Sequence, residues 1–297
     1  MGVIRTPDER FANLPGFPYQ PHYIEVNGMC IHYIDEGQGE TILCLHGEPS
    51  WSYLYRKMIP ILARSYRVLA MDFVGFGRSD KYTERAEYSF TMHHDTVVGF
   101  IEALGLDAIT LVVQDWGGLI GLTVASEMPQ SFSRLVIMNT GLPTGDQPMG
   151  EGFMRWRAFA ERSTDLPISF VIRTGVAQGE LLTPDILAAY DSPFPDVSYK
   201  AGAMAFPLMV PLAPGDAGAS EMRRARQALA GWHKPALVMF SDKDPVTRGG
   251  DRFFRSLSPS AKDQPEIVIE NAGHFLQEDK GEEIARHIVE FMERTSL

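Results

Sequence analysis

An aspartate, Asp115, stands at a point in the sequence where a side chain could be exposed for chemistry. Residues 111–118 read LVVQDWGG, so an apolar run typical of a buried strand leads into a polar residue, two glycines and a helical pattern. This is the layout of a nucleophile elbow, a tight strand-to-helix turn that presents one side chain at its tip. The glycines suit such a turn because the strand and helix backbones approach closely there. The usual elbow carries serine, with glycine two residues earlier, whereas Asp115 and Val113 take those positions here.

Replacing serine by aspartate changes the reaction that the elbow can support. A carboxylate can attack a saturated carbon in line, expel the leaving group and become an ester. Water attacking the carboxyl carbon then restores the carboxylate. Asp115 therefore suits a halide or epoxide substrate better than acyl transfer. Aspartate is also a favoured helix N-cap residue, so the motif by itself leaves a cap and a nucleophile equally open.

Two later polar residues favour the nucleophile. Asp244 follows an apolar run at residues 236–240, and His274 follows the next strand-like run at 266–269. A histidine in that place can activate water as a general base, with Asp244 holding its other nitrogen. The chain order nucleophile, acid, histidine is the one that α/β-hydrolases use. Asp242 competes for the acid role, but we prefer Asp244 because the acid in this fold usually lies four residues past its strand.

A loop after an earlier predicted strand supplies a fourth feature. Residues 46–49 read HGEP, and the corresponding loop of α/β-hydrolases donates a backbone N–H to the oxyanion hole. The donors here would be the N–H groups of Glu48 and Trp116, which would stabilise the charge that develops as water attacks the ester. His46 itself is expected to be structural.

The motifs HGEP (46–49), QDWGG (114–118) and AGHF (272–275) resemble those of haloalkane dehalogenases, and the similarity runs from about Tyr23 to the final helix. This resemblance implies that a halide leaving group is held between two indole N–H groups, those of Trp116 and Trp156. An indole offers a donor and no acceptor, which suits an anion in a partly dry pocket. The resemblance further implies a wall for an uncharged substrate, formed by Phe153, Phe206, Pro207 and Val210. Trp51 and Trp232 lack such context and are expected to be structural.

Three other functions are alternatives to the haloalkane reaction. An epoxide hydrolase shares the Asp elbow and the Asp–His pair but needs acid donors for the opening epoxide, for which Tyr190 and Tyr199 are candidates. Its loop, however, resembles HGFP rather than HGEP. A fluoroacetate-type dehalogenase would want arginines beside the nucleophile, where this chain has Trp116 and Leu119. A catalytically silent receptor of the same fold often loses a triad residue, and this chain keeps all three.

The pattern of strands and helices around these residues predicts an α/β-hydrolase fold. This fold has a mostly parallel eight-stranded sheet, helices on both faces and an inserted helical cap. We expect a core domain at residues 1–141 and 217–297 and a cap domain at 142–216, where the strand rhythm stops. The predicted strands are 23–26, 29–35, 41–45, 67–71, 109–113, 135–138, 236–240 and 266–269. The predicted helices are 53–64, 91–104, 118–127 and 282–293 in the core, and 152–162, 184–190 and 197–205 in the cap.

Composition restricts the partners. The net charge of −11 argues against nucleic acid, which requires basic patches. The N-terminus has no apolar run resembling a signal peptide, and no stretch is apolar enough to span a bilayer. Cys30 and Cys44 lie in strand-like runs and are expected to be reduced thiols. We therefore expect a cytoplasmic monomer that needs no cofactor or metal and meets only a small halogenated alkane, water and the halide product.

Overall fold

The computed structural model describes residues 2–296 and places most of the chain in alternating strands and helices. The strands are β1 (Val3–Ile4), β2 (His22–Val26), β3 (Met29–Glu36), β4 (Thr41–Leu45), β5 (Arg67–Met71), β6 (Lys81–Tyr82), β7 (Ile109–Gln114), β8 (Phe132–Met138), β9 (Ala236–Ser241) and β10 (Ile267–Ile269). Eight of them form one sheet in the order β10-β9-β8-β7-β4-β5-β3-β2. The pairs from β10 to β5 are parallel, and β3 is antiparallel to both β5 and β2.

The predicted α/β-hydrolase fold with its mostly parallel eight-stranded sheet is confirmed. Strands β2 and β3 form a hairpin in which Asn27 and Gly28 have φ values of 52° and 77°, the positive values that a tight two-residue turn between twisted strands requires.

The helices surround the sheet and the opening at one of its edges. They are α1 (Ile59–Leu62), α2 (Phe90–Ala103), α3 (Trp116–Glu127), α4 (Glu151–Arg162), α5 (Ile168–Gly175), α6 (Pro184–Asp191), α7 (Ala201–Met209), α8 (Ala219–Ala230), α9 (Gly250–Leu257) and α10 (Leu276–Arg294). Successive side chains of a strand point to opposite faces, so each central strand feeds two cores. Leu43 and Leu45 pack in the core that α2, α3 and α8 cover, whereas Ile42 and Cys44 pack in the core that α1 and α10 cover. Burial on both faces explains why all six residues of β7 are buried.

The segment between β8 and α8, which we call the cap (residues 142–216), carries α4 to α7. It is tied to the rest of the molecule at several points. The hydroxyl of Thr6 donates to the carbonyl of Pro193 (2.6 Å), and the indole of Trp51 donates to that of Ala189 (3.2 Å). A buried network joins Glu278 of α10 to the guanidinium of Arg56 (2.5 and 2.7 Å) and to the hydroxyl of Tyr190 in the cap (2.6 Å).

Several predicted helices differ from the observed ones. The single helix predicted over residues 53–64 is wrong: a 3-10 turn (Ser52–Tyr55) and α1 replace it. Pro60 lies in the first turn of α1, where a residue without an N–H starts a helix but cannot continue one from upstream. The helix predicted over 197–205 is a 3-10 turn (Val197–Tyr199) followed by α7, and α10 begins six residues earlier than predicted. The helices α5, α8 and α9 were not predicted.

None of the helices described is both long and apolar enough to cross a membrane.

Candidate active site

Asp115 occupies the strand-to-helix turn between β7 and α3. Its backbone has φ 50° and ψ −124°, a conformation that costs free energy for a residue with a side chain and is characteristic of functional turns. The two following glycines are required by space. A Cβ at Gly117 would collide with the carbonyl of Leu45, and one at Gly118 with the side chain of Thr140. The turn therefore lifts the Asp115 carboxylate above the carboxyl end of the sheet, where ligands bind in such folds.

The two carboxylate oxygens of Asp115 have different surroundings. Oδ1 accepts the backbone N–H of Glu48 at 2.8 Å. Oδ2 lies 3.4 Å from Nε2 of His274. Below them, the Asp115 carbonyl accepts the hydroxyl of Thr140 at 2.6 Å and its N–H donates to the carbonyl of Asn139 at 2.9 Å. One oxygen is thus fixed by a backbone donor, and Oδ2 is the oxygen available for attack.

His274 lies between two carboxylates. Its Nδ1 is 3.0 Å from Oδ2 of the buried Asp244, which also accepts the hydroxyl of Thr247, while Oδ1 of Asp244 accepts the N–H of Val246 at 2.7 Å. Burial opposes the charged form of His274, but the charges of Asp244 and Asp115 outweigh it and raise its pKa to about 10. Burial likewise favours neutral Asp244, yet His274 and the two donors hold the pKa of this carboxyl below its ordinary value. Both carboxylates therefore favour the protonated form of His274.

The loop after β4 completes the surroundings of Asp115. The N–H of Glu48 points at Asp115, and the N–H of Trp116 is the first of α3, where no helical acceptor exists. The Glu48 carboxyl is buried, and its Oε1 has no hydrogen-bond partner among residues 2–296. Burial and the nearby Asp115 charge raise the pKa of Glu48 well above its ordinary value. His46 is buried beneath, with its Nε2 accepting the N–H of Phe73 at 3.1 Å.

A cavity of about 620 Å³ opens above these groups, between the sheet edge and the cap. Trp116 and Trp156 both form part of its wall, and neither indole N–H has an acceptor among the described residues. The other two tryptophans differ: the Trp51 N–H is bonded to Ala189, and that of Trp232 is buried away from the cavity. Two tryptophans whose indole N–H groups have no acceptor among the described residues therefore line the same cavity as Asp115.

Comparison with known proteins agrees with this geometry. Residues 40–281 match the profile of a family described as having the alpha/beta hydrolase fold. A haloalkane dehalogenase of Psychrobacter cryohalolentis is 46% identical over 98% of both chains, and one of Mycobacterium marinum is 47% identical over 97% of this chain and 99% of its own. The solved structure of a tetrameric haloalkane dehalogenase from Paraglaciecola agarilytica NO2 superposes with a TM-score of 0.90, at 39% identity and covering 97% of each chain.

The chain belongs to the haloalkane dehalogenases.

The structure brings together nearly all the residues that the sequence singled out in this dehalogenase. Asp115, Glu48, Trp116 and His274 border the cavity, and Asp244 lies behind His274. Asp242 turns away, because its Oδ1 accepts the N–H of Ala272 at 3.2 Å. The predicted wall residues Phe153, Pro207 and Val210 line the cavity with Trp156.

The prediction that Phe206 lines the cavity is wrong. Phe206 is fully buried and packs against Trp116, with the ring centroids 4.7 Å apart. Residues three apart share a helix face, whereas adjacent ones do not. In α7, Pro207 and the nearby Val210 therefore face the cavity while Phe206 turns into the core. Phe206 supports the Trp116 ring and does not line the dehalogenase pocket.

The two cap tyrosines considered for an epoxide reaction are not at the site. The Tyr190 hydroxyl donates to Glu278 at 2.6 Å, and neither Tyr190 nor Tyr199 belongs to the cavity wall, on which no tyrosine occurs among the described residues. The two tyrosines considered as acid donors for an opening epoxide are therefore not where that reaction would need them.

Sequence reasoning missed two groups of site residues. Gln114, the last residue of β7, is fully buried with its Nε2 3.2 Å from both the carbonyl oxygen and Nε2 of His274. The sequence did contain a signal for Gln114, because it is a polar residue at the end of an otherwise apolar strand. The second group consists of basic residues on the cavity wall, among them Arg226 on α8, a helix that had not been predicted.

Proposed function

We propose that the dehalogenase cleaves the carbon–halogen bond of a small haloalkane through a covalent ester on Asp115. In the first step Oδ2 attacks the carbon that bears the halogen, the C–O bond forms, and the halide leaves with the bonding electron pair. The N–H of Glu48 on Oδ1 supports this assignment, because it holds the carboxylate with Oδ2 towards the cavity.

The leaving halide is held by the indole N–H groups of Trp116 and Trp156. Both residues line the cavity and have no acceptor among the described residues, so a developing anion meets donors that do not have to break other hydrogen bonds. The observation that carries the proposal is that two tryptophans with free indole N–H groups line the same cavity as Asp115. It favours a halide over an epoxide oxygen.

The second step opens the ester with water. His274 takes a proton from the water, whose oxygen attacks the Asp115 carboxyl carbon, and Asp244 stabilises the imidazolium that forms. The N–H groups of Glu48 and Trp116 stabilise the oxyanion. Collapse of this intermediate releases the alcohol and restores the carboxylate, so the products are alcohol, halide and one proton. The unpaired Oε1 of Glu48 is a candidate acceptor for the attacking water.

The assay is halide release from a short bromoalkane by the purified protein without added cofactor. We expect equal amounts of bromide and acid, and we expect Asp115→Asn to stop both. A Trp232→Phe variant is the control, since this tryptophan lies outside the cavity wall. If no halide is released from a broad panel while styrene oxide is turned over, an epoxide hydrolase replaces this proposal.

We also propose that residues 142–216 form a cap domain on a core made of residues 1–141 and 217–297, and that the enzyme works as a cytoplasmic monomer. Support for the first is that both parts contribute to the cavity wall. The cytoplasmic location is supported by the pair of free cysteines, because thiols remain reduced in a reducing compartment.

A further inference from the structure

The cavity wall has a charge balance opposite to that of the chain. The chain has 27 basic and 38 acidic residues. Apart from His274, the charged residues of the wall are the acids Glu48 and Asp115 and the bases Arg155, Arg226, Lys243 and Arg248. Both acids lie with the catalytic residues. The remainder of the wall is therefore cationic in an otherwise acidic protein.

Arg226 differs from the other three basic residues because it is half-buried and held in place. Its Nε donates to the carbonyl of Leu142 at 2.7 Å, and its guanidinium lies 4.8 Å from the centroid of the Phe253 ring. Leu142 and Phe253 also line the cavity. Two contacts on the wall thus fix the guanidinium at its edge.

This guanidinium forms no ion pair among residues 2–296. No carboxylate lies within ion-pair distance of Arg226, and its two terminal nitrogens donate to no protein acceptor. Burial lowers its pKa from the ordinary value, and the nearby Asp146 offsets this effect only in part, though an arginine stays charged. Its neighbour on α8, Arg223, is bonded to Asp146 at 3.0 Å and to the carbonyl of Thr144. A half-buried charge without a partner is costly unless a ligand supplies the opposite charge.

The cavity also exceeds what a short haloalkane needs. Pockets of roughly 300–1,000 Å³ enclose ligands of drug size, and this one measures about 620 Å³. Much of the remaining wall is apolar and includes Leu119, Leu142 and Val246. An alkyl chain fits along such a wall, and a carboxylate at its end would meet the terminal nitrogens of Arg226.

We propose that Arg226 is an anion subsite that binds the carboxylate of an ω-haloalkanoate whose halogenated carbon lies at Asp115. The assignment of a substrate class rests on the dehalogenase reaction proposed above, whereas the anion subsite itself does not. Lys243 and Arg248 add positive potential around the same opening, and this attraction weakens as salt is added.

The kinetic test compares ω-bromohexanoate with its methyl ester, which removes the charge and keeps the chain. We expect the wild-type enzyme to have the higher kcat/KM for the acid. Arg226→Gln should lower the acid-to-ester ratio about tenfold, the effect of losing one charged hydrogen bond. Arg226→Lys should keep part of the preference. Arg224→Gln is the matched control, because Arg224 is exposed on the same helix outside the cavity wall, and it should leave the ratio unchanged.

A binding measurement separates failure of the subsite from failure of the reaction. Calorimetric titration with hexanoate requires no turnover, and we expect Arg226→Gln to weaken hexanoate binding about tenfold while bromide binding stays the same. Equal loss of bromide and hexanoate binding would assign the subsite to free halide and overturn the substrate class. An acid-to-ester ratio and a hexanoate affinity that do not depend on Arg226 would overturn the subsite. If the ester releases no bromide, the proposed reaction fails, and the titration still decides on the subsite.

Discussion

Asp115 and His274 act in different steps of the proposed reaction, so removing each should give a different result. His274→Phe leaves Asp115 and Glu48 in place, and we expect one equivalent of bromide in a burst, followed by no turnover. Mass spectrometry of the stalled protein should show the added alkyl group. Asp115→Asn is the comparison, which should show neither burst nor adduct. Sustained turnover by His274→Phe would contradict a histidine-dependent second step.

Trp156 is tested through halide binding. Removing one of two indole donors should weaken bromide binding about tenfold, because a hydrogen bond to an anion is stronger than one between neutral groups. Quenching of tryptophan fluorescence by bromide measures this in Trp156→Phe. Trp232→Phe is the control, since its buried N–H does not reach the cavity. Unchanged quenching in Trp156→Phe would remove this residue from the halide site.

Gln114 is expected to adjust the basicity of His274. The carbonyl of His274 can only accept, so the amide nitrogen of Gln114 must face it, and the same nitrogen then offers a proton to Nε2. That contact favours the unprotonated ring, which the ester intermediate requires once Asp115 has lost its charge. Asp244 and Glu48 are the remaining acids near the ring.

Replacing Gln114 by Met should therefore raise the pKa of His274 in the ester. The rate of ester hydrolysis rises with pH through that pKa, because the unprotonated ring is the base. The acid limb of the pH–rate profile should therefore move to higher pH by about half a unit to one unit. Single-turnover decay of the ester measured against pH gives the limb. Asn139→Gly removes a donor to the His274 carbonyl but none to Nε2, and it should not move the limb. A slower decay with an unshifted limb would leave Gln114 a purely structural role.

Most of the site was predictable from residue type and order, because polar residues at the ends of parallel strands must meet at one edge. The choice of Asp244 over Asp242 followed from spacing along the chain. Phe206 could not be placed, because whether it or Pro207 faces the cavity depends on the rotation of α7. Gln114 and Arg226 were missed because their roles arise from contacts with distant residues, His274 and Leu142.

At the scale of elements, the Arg56–Glu278–Tyr190 network connects α10 to the cap. Glu278→Gln would leave the buried guanidinium of Arg56 without its charge partner, and we expect the free energy of unfolding to fall by about 3 kcal/mol. Glu282→Gln, exposed on the same helix, is the control and should change it little. Urea unfolding followed by circular dichroism provides the measurement.

Glu278 should also make the free energy of unfolding depend on pH. Burial favours neutral Glu278, but Arg56 and Lys57 hold its folded pKa below the ordinary value. A lowered folded pKa adds stability above the unfolded pKa, and that stability is lost as pH falls through the folded pKa. The difference between wild type and Glu278→Gln should therefore be largest near neutral pH and shrink in acid. A difference independent of pH would show that the charge of Glu278 does not contribute.

The strands were easier to predict than the helices, and the reason is burial. Strands such as β4 and β5 are short apolar runs, and their predicted bounds match the observed ones. Helices α8 and α9 are rich in charged residues and have few buried side chains, so neither contains the continuous apolar run that marks the strands. Their positions are set by packing against α3 and β9, which no local pattern reveals.

At the scale of the whole molecule, we expect a monomer. The edge strand β10 has only three residues, which offers little backbone for pairing with a second copy. The exposed large apolar side chains, including Val3, Leu181 and Val268, lie on separate elements. Sedimentation velocity at micromolar concentration should give a single species of 33.1 kDa. A dominant tetramer, the state named for the Paraglaciecola agarilytica protein, would contradict this expectation.

The contact between Thr6 and the cap has a consequence for the order of events during synthesis. Thr6 precedes its acceptor, Pro193, by 187 residues. At ribosomal rates of about 5–20 residues per second, Thr6 is made roughly 10 to 40 seconds before that carbonyl exists. Asp115 is likewise made before His274, which follows it by 159 residues. A nascent chain that has completed β8 therefore holds the nucleophile and the segment that will secure the cap, but Pro193 follows only 55 residues later and His274 only 136 residues later.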